Sequence, residues 1–148
     1  MNFFVLVRFQ NEELLNKFLN YGVDVNYLNP DQGTSPLMLA AALGFERICN
    51  ILIEAGADVN ASVHSGNTPL HLATMGYGEK LNVVRTLLEH GANRNALNEE
   101  GLTAAILAKQ VDNDACFKLI QEFKIENLPE QIDEPVELND EQQIISFA

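Results

Sequence analysis

Gly66-Asn67-Thr68-Pro69-Leu70-His71-Leu72-Ala73 is the stretch that settles the fold, because the chain repeats it. Gly33-Thr34-Ser35-Pro36-Leu37-Met38-Leu39-Ala40 begins 33 residues earlier, and Gly101-Leu102-Thr103-Ala104-Ala105-Ile106-Leu107-Ala108 begins 35 residues later. A second motif recurs in the same phase, as Gly22-Val23-Asp24-Val25-Asn26, Gly56-Ala57-Asp58-Val59-Asn60 and Gly91-Ala92-Asn93-Arg94-Asn95. Self-similarity at such a period means supersecondary units stacked in a row.

The residues explain each unit. Ser35-Pro36 and Thr68-Pro69 predict helix starts, because a hydroxyl at the N-cap accepts an orphan backbone N–H and proline in the first turn loses no useful donor. Leu37, Ala40 and Ala41, and Leu70 and Ala73, then fall at helical spacing. Their small side chains allow close helix approach. A second helix follows, carried by Ile48, Ile51 and Leu52 and by Val83, Val84, Leu87 and Leu88, and it stops at Gly56 or Gly91 as a glycine in the left-handed region stops a helix. The Asp/Asn-rich segments beyond are turns by composition. No unit of this kind buries its apolar face alone, so stacking supplies the core.

The two motifs in register make the chain resemble the ankyrin-repeat family over roughly residues 1–125. The fold class that follows is an all-α solenoid of helix–turn–helix units joined by long β-hairpin-like turns. Four repeats are expected at about 1–29, 30–62, 63–97 and 98–125, followed by an acidic C-terminal tail over 126–148. The terminal repeats are degenerate. In the first, Phe3, Leu6 and Val7 stand for Leu37, Ala40 and Ala41, and a second helix is predicted from Glu12 to Tyr21 through Leu14, Leu15, Phe18 and Leu19. The third carries two extra residues within Met75-Gly76-Tyr77-Gly78-Glu79. The fourth has Ala104 for the proline and Ile106 for the histidine. End repeats of solenoids depart from the pattern because one face meets water, so the departures predict a complete small array.

The chain carries 9 basic and 21 acidic residues, a formal net charge of −12. This balance argues against nucleic acid and anionic membranes as partners, both of which need Lys and Arg. It favours a basic protein partner, although solubility alone also explains it. No apolar run is long enough to span a membrane. Phe3-Phe4-Val5-Leu6-Val7 is too short, and lacks the cleavage site, for a signal peptide. Cys49 and Cys116 fall on second helices two units apart, so a disulfide between them is excluded and a cytoplasmic protein with buried thiols is expected. In the tail, Ile144, Ile145 and Phe147 either cover the open end of the fourth repeat, which is favoured, or form a linear motif.

No catalytic constellation, metal-ligand spacing or cofactor motif is present. His71 occupies the position where, in ankyrin repeats, the imidazole ties the turn to neighbouring backbone. His90 precedes Gly91 at a helix C-terminus and complements its dipole. Asn26, Asn60 and Asn95 are turn-stabilising residues. The chain is therefore expected to be non-enzymatic and without cofactor.

Function is expected on the surface. The resemblance implies a concave groove lined by the long turns and the outward side of the first helices. By position it draws on Asp31, Gln32, Thr34, Ala42 and Leu43 in the second repeat, and on His64, Ser65, Asn67, Met75 and the inserted Tyr77 in the third. The fourth contributes Glu99, Glu100, Leu102, Gln110 and Val111. The expected role is a protein-binding module, a monomer when free. An inhibitor or immunity-type antagonist of a basic enzyme or toxin, and an adaptor or host-directed effector recruiting through its tail, are the alternatives.

Overall fold

The computed structural model describes residues 2–75 and 80–124 of the chain. Among them are eight helices and no strand: α1 (Phe3–Arg8), α2 (Glu12–Asn20), α3 (Pro36–Leu43), α4 (Glu46–Glu54), α5 (Pro69–Thr74), α6 (Leu81–Glu89), α7 (Ala104–Gln110) and α8 (Asp114–Glu122). They form four pairs. First helices pack in a row, α1 on α3, α3 on α5 and α5 on α7; behind them α4 packs on α6 and α6 on α8. Tyr77 and the tail lie outside the described residues, so the readings made for them stay where the sequence left them.

Local chemistry sets the helix boundaries. Ser35, Thr68 and Thr103 sit at N-caps in extended backbone, and their hydroxyls accept from the amides of Met38, His71 and Ile106. Asn2, Asn11 and Asn113 cap α1, α2 and α8 in the same way with side-chain carbonyls. The second helix of the first pair ends at Asn20, with Tyr21 as its C-cap. The turns after α1, α3 and α7 each hold a left-handed residue: Gly44 supplies it at φ 77°, whereas Gln10 and Asp112 adopt φ 52° and 57° with side chains present.

Stacking buries what the pairs cannot bury alone. Leu37, Ala40 and Ala41 of α3 are fully buried, as are Val7 of α1 and Ala108 of α7, while Leu70 and Ala73 of α5 are almost so. Ile48, Leu52, Val83, Val84, Leu87 and Ile120 continue the same core from the second helices. Each such side chain contributes about 1.5–3 kcal/mol of burial. Cys49 and Cys116 are buried thiols, and α6 packs between their helices. Burial, with Glu46 adding to it, pushes the Cys49 thiol up to about 12.

Polar staples tie the repeats together. The Asn26 side chain donates to Gly56 O at 3.3 Å and accepts from Asp58 N at 2.8 Å. Asn60 does the same one repeat on, with Gly91 O at 3.1 Å and Asn93 N at 2.7 Å. These asparagines stabilise the neighbouring repeat's turn, whereas each repeat's own turn is closed by the preceding residue pair, Asp24 to Asn26 N and Asp58 to Asn60 N. After α8 the motif stops, and Arg94 takes over, donating to Ile120 O at 3.2 Å and Phe123 O at 3.1 Å.

The long turns also touch. A Cβ on Gly66 would lie 2.9 Å from Asn98 Cα and from Glu99 N, whereas one on Gly101 would meet open space. Both glycines have positive φ. Gly101→Ala should therefore cost about 1–2 kcal/mol of left-handed strain, and Gly66→Ala a further 1–3 kcal/mol because backbone must move; equal losses in urea titrations would contradict this contact. Asn60→Ala should lower stability by about 1–2 kcal/mol through its two lost bonds, while Asn95→Ala should change it by less than about 0.5 kcal/mol, measured as paired melting curves.

Candidate functional site

Three long turns and the outward side of the first helices form the surface where function was expected. Each turn is closed by its own backbone. Asn29 N donates to Thr34 O at 2.8 Å, Val63 N to Asn67 O at 3.1 Å and Asn98 N to Leu102 O at 3.1 Å. Asp31, Gln32, His64, Ser65, Glu99 and Glu100 are exposed on these turns, and Thr34, Asn67 and Leu102 are half-buried.

Two of the turns are bonded into one body. Glu99 N donates to Ser65 O at 2.9 Å, and the Asn98 side chain donates to Asn67 Oδ1 at 3.0 Å. His71 completes the link from below. Its Nδ1 accepts from Thr68 N at 3.1 Å, which leaves the proton on Nε2 to donate to Leu102 O at 3.0 Å. The imidazole is buried and both its nitrogens are used, in line with the reading of His71 as scaffold. Asn67 and the Leu102 carbonyl are thus committed to holding the turns, and what they offer a ligand is fixed geometry. His64 stands beside the preceding turn, where a Cβ on Gly33 would meet its ring at 3.7 Å. His90 caps α6, its Nδ1 2.8 Å from Thr86 O.

At the opposite, C-terminal ends of the first helices runs an apolar row. Leu43 and Val111 end or cap their first helices and are 39% and 47% exposed, and Met75 caps α5 at 38%. Repeat register adds Phe9, the equivalent of Leu43 at the end of α1, and it is 76% exposed. The register that places Phe3 on Leu37 also places Phe9 on Leu43, so the signal was present in the sequence. Val5, 42% exposed on α1, extends the row. Gln110 is exposed at the end of α7, and Ala42 is half-buried.

Lys80 anchors the middle of this row. Its ammonium donates to Ala42 O and, at 3.2 Å, to Met75 O, so one side chain holds the carbonyl ends of α3 and α5. Burial lowers its pKa from the ordinary lysine value. Nothing in the repeat pattern marks this lysine, because it lies beside the insertion.

Electrostatically the rim is acidic. Asp31, Glu99 and Glu100 are exposed, and the ion pairs among the described residues, Lys17–Glu13, Arg47–Glu12 and Lys109–Asp114, involve none of them. No group of three or more His, Cys, Asp or Glu among the described residues is placed to hold a metal ion.

The family profile of ankyrin repeats, in three copies, matches residues 3–98. The chain belongs to the ankyrin-repeat family. The match ends at Asn98, and α7 with α8 continues the same pairing beyond it. A putative ankyrin repeat-containing protein of Treponema pallidum is 34% identical over 115 residues, 77% of this chain and 38% of the relative. The putative ankyrin repeat protein FPV031 of fowlpox virus is 32% identical over 113 residues, 75% of this chain and 32% of the relative. The potassium channel KOR2 of rice is 46% identical over 65 residues, 44% of this chain and 9% of the relative. The chain thus spans well under half the length of these relatives. Ankyrin repeats are in general protein–protein interaction modules, and no helix among the described residues is long and apolar enough to cross a membrane.

Replacing His71 by Leu leaves the buried Thr68 N–H without its ring acceptor and removes one of the two donors to the Leu102 carbonyl, Asn98 N being the other. The ankyrin stack should lose about 1–3 kcal/mol. Amide exchange should quicken at Asn98 and Gly101, whose N–H groups close that turn; unchanged exchange there would show that the imidazole does not hold it.

Proposed function

We propose that the ankyrin stack is a non-enzymatic module that binds a protein partner along the first helices, from the turn tips at their N-terminal ends to the row Phe9–Leu43–Met75–Val111 at their C-terminal ends. The observation that carries this reading is the mutual bonding of the turns over 63–67 and 98–102, with exposed apolar side chains at the far ends of the first helices they lead into. Preformed turns spare a complex the ordering cost of about 0.5–1.5 kcal/mol for each immobilised side chain. Apolar side chains on such a frame offer the desolvated contacts that dominate binding energy.

The rim carboxylates Asp31, Glu99 and Glu100, which join no ion pair among the described residues, and the chain's net charge of −12 favour a basic partner, whose encounter the negative field accelerates. An antagonist that occludes a basic enzyme is the form of this reading that the charge supports best. Two buried thiols suit a reducing compartment such as the cytoplasm.

Leu43→Glu with Glu100→Lys changes the apolar row and the acidic rim at two exposed positions. Binding partners captured from source cells by the wild-type chain should be lost by this variant, and their affinity should fall steeply as salt is raised. A partner held equally by both proteins, with no salt dependence, would overturn the assignment.

A further inference from the structure

On the side of the stack away from the turns, α6 and α8 enclose a cleft of about 480 Å³. Leu81, Leu119 and Phe123 give it an apolar floor, and Arg85, Lys118 and Lys124 stand around it. These are three of the nine basic residues in the chain. None of the three takes part in an ion pair among the described residues. Glu122 is the one carboxylate in the lining. Three cations to one carboxylate around an apolar floor is a local excess of positive charge in a protein this acidic.

The chain itself carries a matching ligand. Beyond Lys124, residues 125–148 hold seven acidic side chains and no basic one, together with apolar residues that include Ile132, Ile144, Ile145 and Phe147. The segment follows directly on Lys124, which lines the cleft, and its first acidic residue, Glu126, is two residues further along the sequence. We propose that the α6/α8 cleft is the docking site for the chain's own acidic–apolar C-terminal segment, held by Arg85, Lys118 and Lys124 over the Leu81–Leu119–Phe123 floor. Covalent attachment raises the local concentration of such a ligand to the order of millimolar, so weak individual contacts suffice.

The competing location is the open end of the stack, a cavity of about 420 Å³ lined by Asn95, Thr103, Ile106 and Ile120. Its lining is more polar than that of the outer cleft, although Ile106 is 43% exposed. Its one cation, Arg94, already donates to Ile120 O and Phe123 O. Charge therefore separates the two locations, with three available cations at the outer cleft against one engaged cation at the end.

A spin label on the full-length chain tests this directly. Asn139→Cys provides the attachment point, since Cys49 and Cys116 are both fully buried. Paramagnetic broadening is expected at the amides of α6 and α8 around Arg85 and Lys118. It should be lost in high salt and in the variant Arg85→Gln/Lys118→Gln, which alters two exposed positions while far-UV circular dichroism confirms the helices. Broadening centred on Asn95 and Ile106, broadening that survives the double substitution, or no broadening of any amide in the repeats would each overturn the proposal.

Discussion

A helix pair of this size has an apolar side that water would otherwise cover, and the chain meets that constraint by setting each pair against the next. Val7, Ala41, Leu70 and Ala105 are buried only because another first helix lies against them. Small residues at Ala40, Ala73 and Ala108 let the helices come close enough for that burial. The asparagine staples follow from the same arrangement. Once the pairs are stacked, the amides and carbonyls at the tops of neighbouring second helices stand within reach of Asn26 and Asn60, and two bonds per junction hold the spacing.

The surface inherits its rigidity from the stack. Packing sets the spacing of the pairs, and a backbone contact, Glu99 N donating to Ser65 O, joins two of the turns above them. Close approach at Gly66 is the visible sign of that fit. A partner therefore meets a surface whose shape is set before contact. The acid on its rim and the apolar row at the far ends of the first helices supply what differs from one repeat to the next, which is where selectivity has to reside in an architecture whose frame is shared.

Much of the frame is readable in the residues. Ser35-Pro36 and Thr68-Pro69 mark helix starts through short-range capping, and Gly56 and Gly91 mark helix ends through backbone freedom. The apolar spacing of each copy reports which side is covered. The candidate surface is only partly readable. Asp31, His64 and Glu99 are exposed on turns as expected, yet Asn67 and the Leu102 carbonyl are spent on the frame. Phe9 was within reach of the register but hidden in a degenerate repeat. Lys80 was out of reach, since its partners are main-chain carbonyls, which look alike in every sequence.

From residues alone come the repeating unit, its helix limits and the need for stacking, because these rest on contacts a few residues long that recur in each copy, while the structural place of His71 is what the resemblance to ankyrin repeats implied. The folded chain alone shows that Asn26 and Asn60 reach across junctions while Arg94 closes the last one. It alone shows the turns over 63–67 and 98–102 bonded into one body, and three cations gathered around a cleft between α6 and α8. Each of these joins residues distant in the chain, and it is the spacing between packed helices, not any local pattern, that brings them within bonding distance.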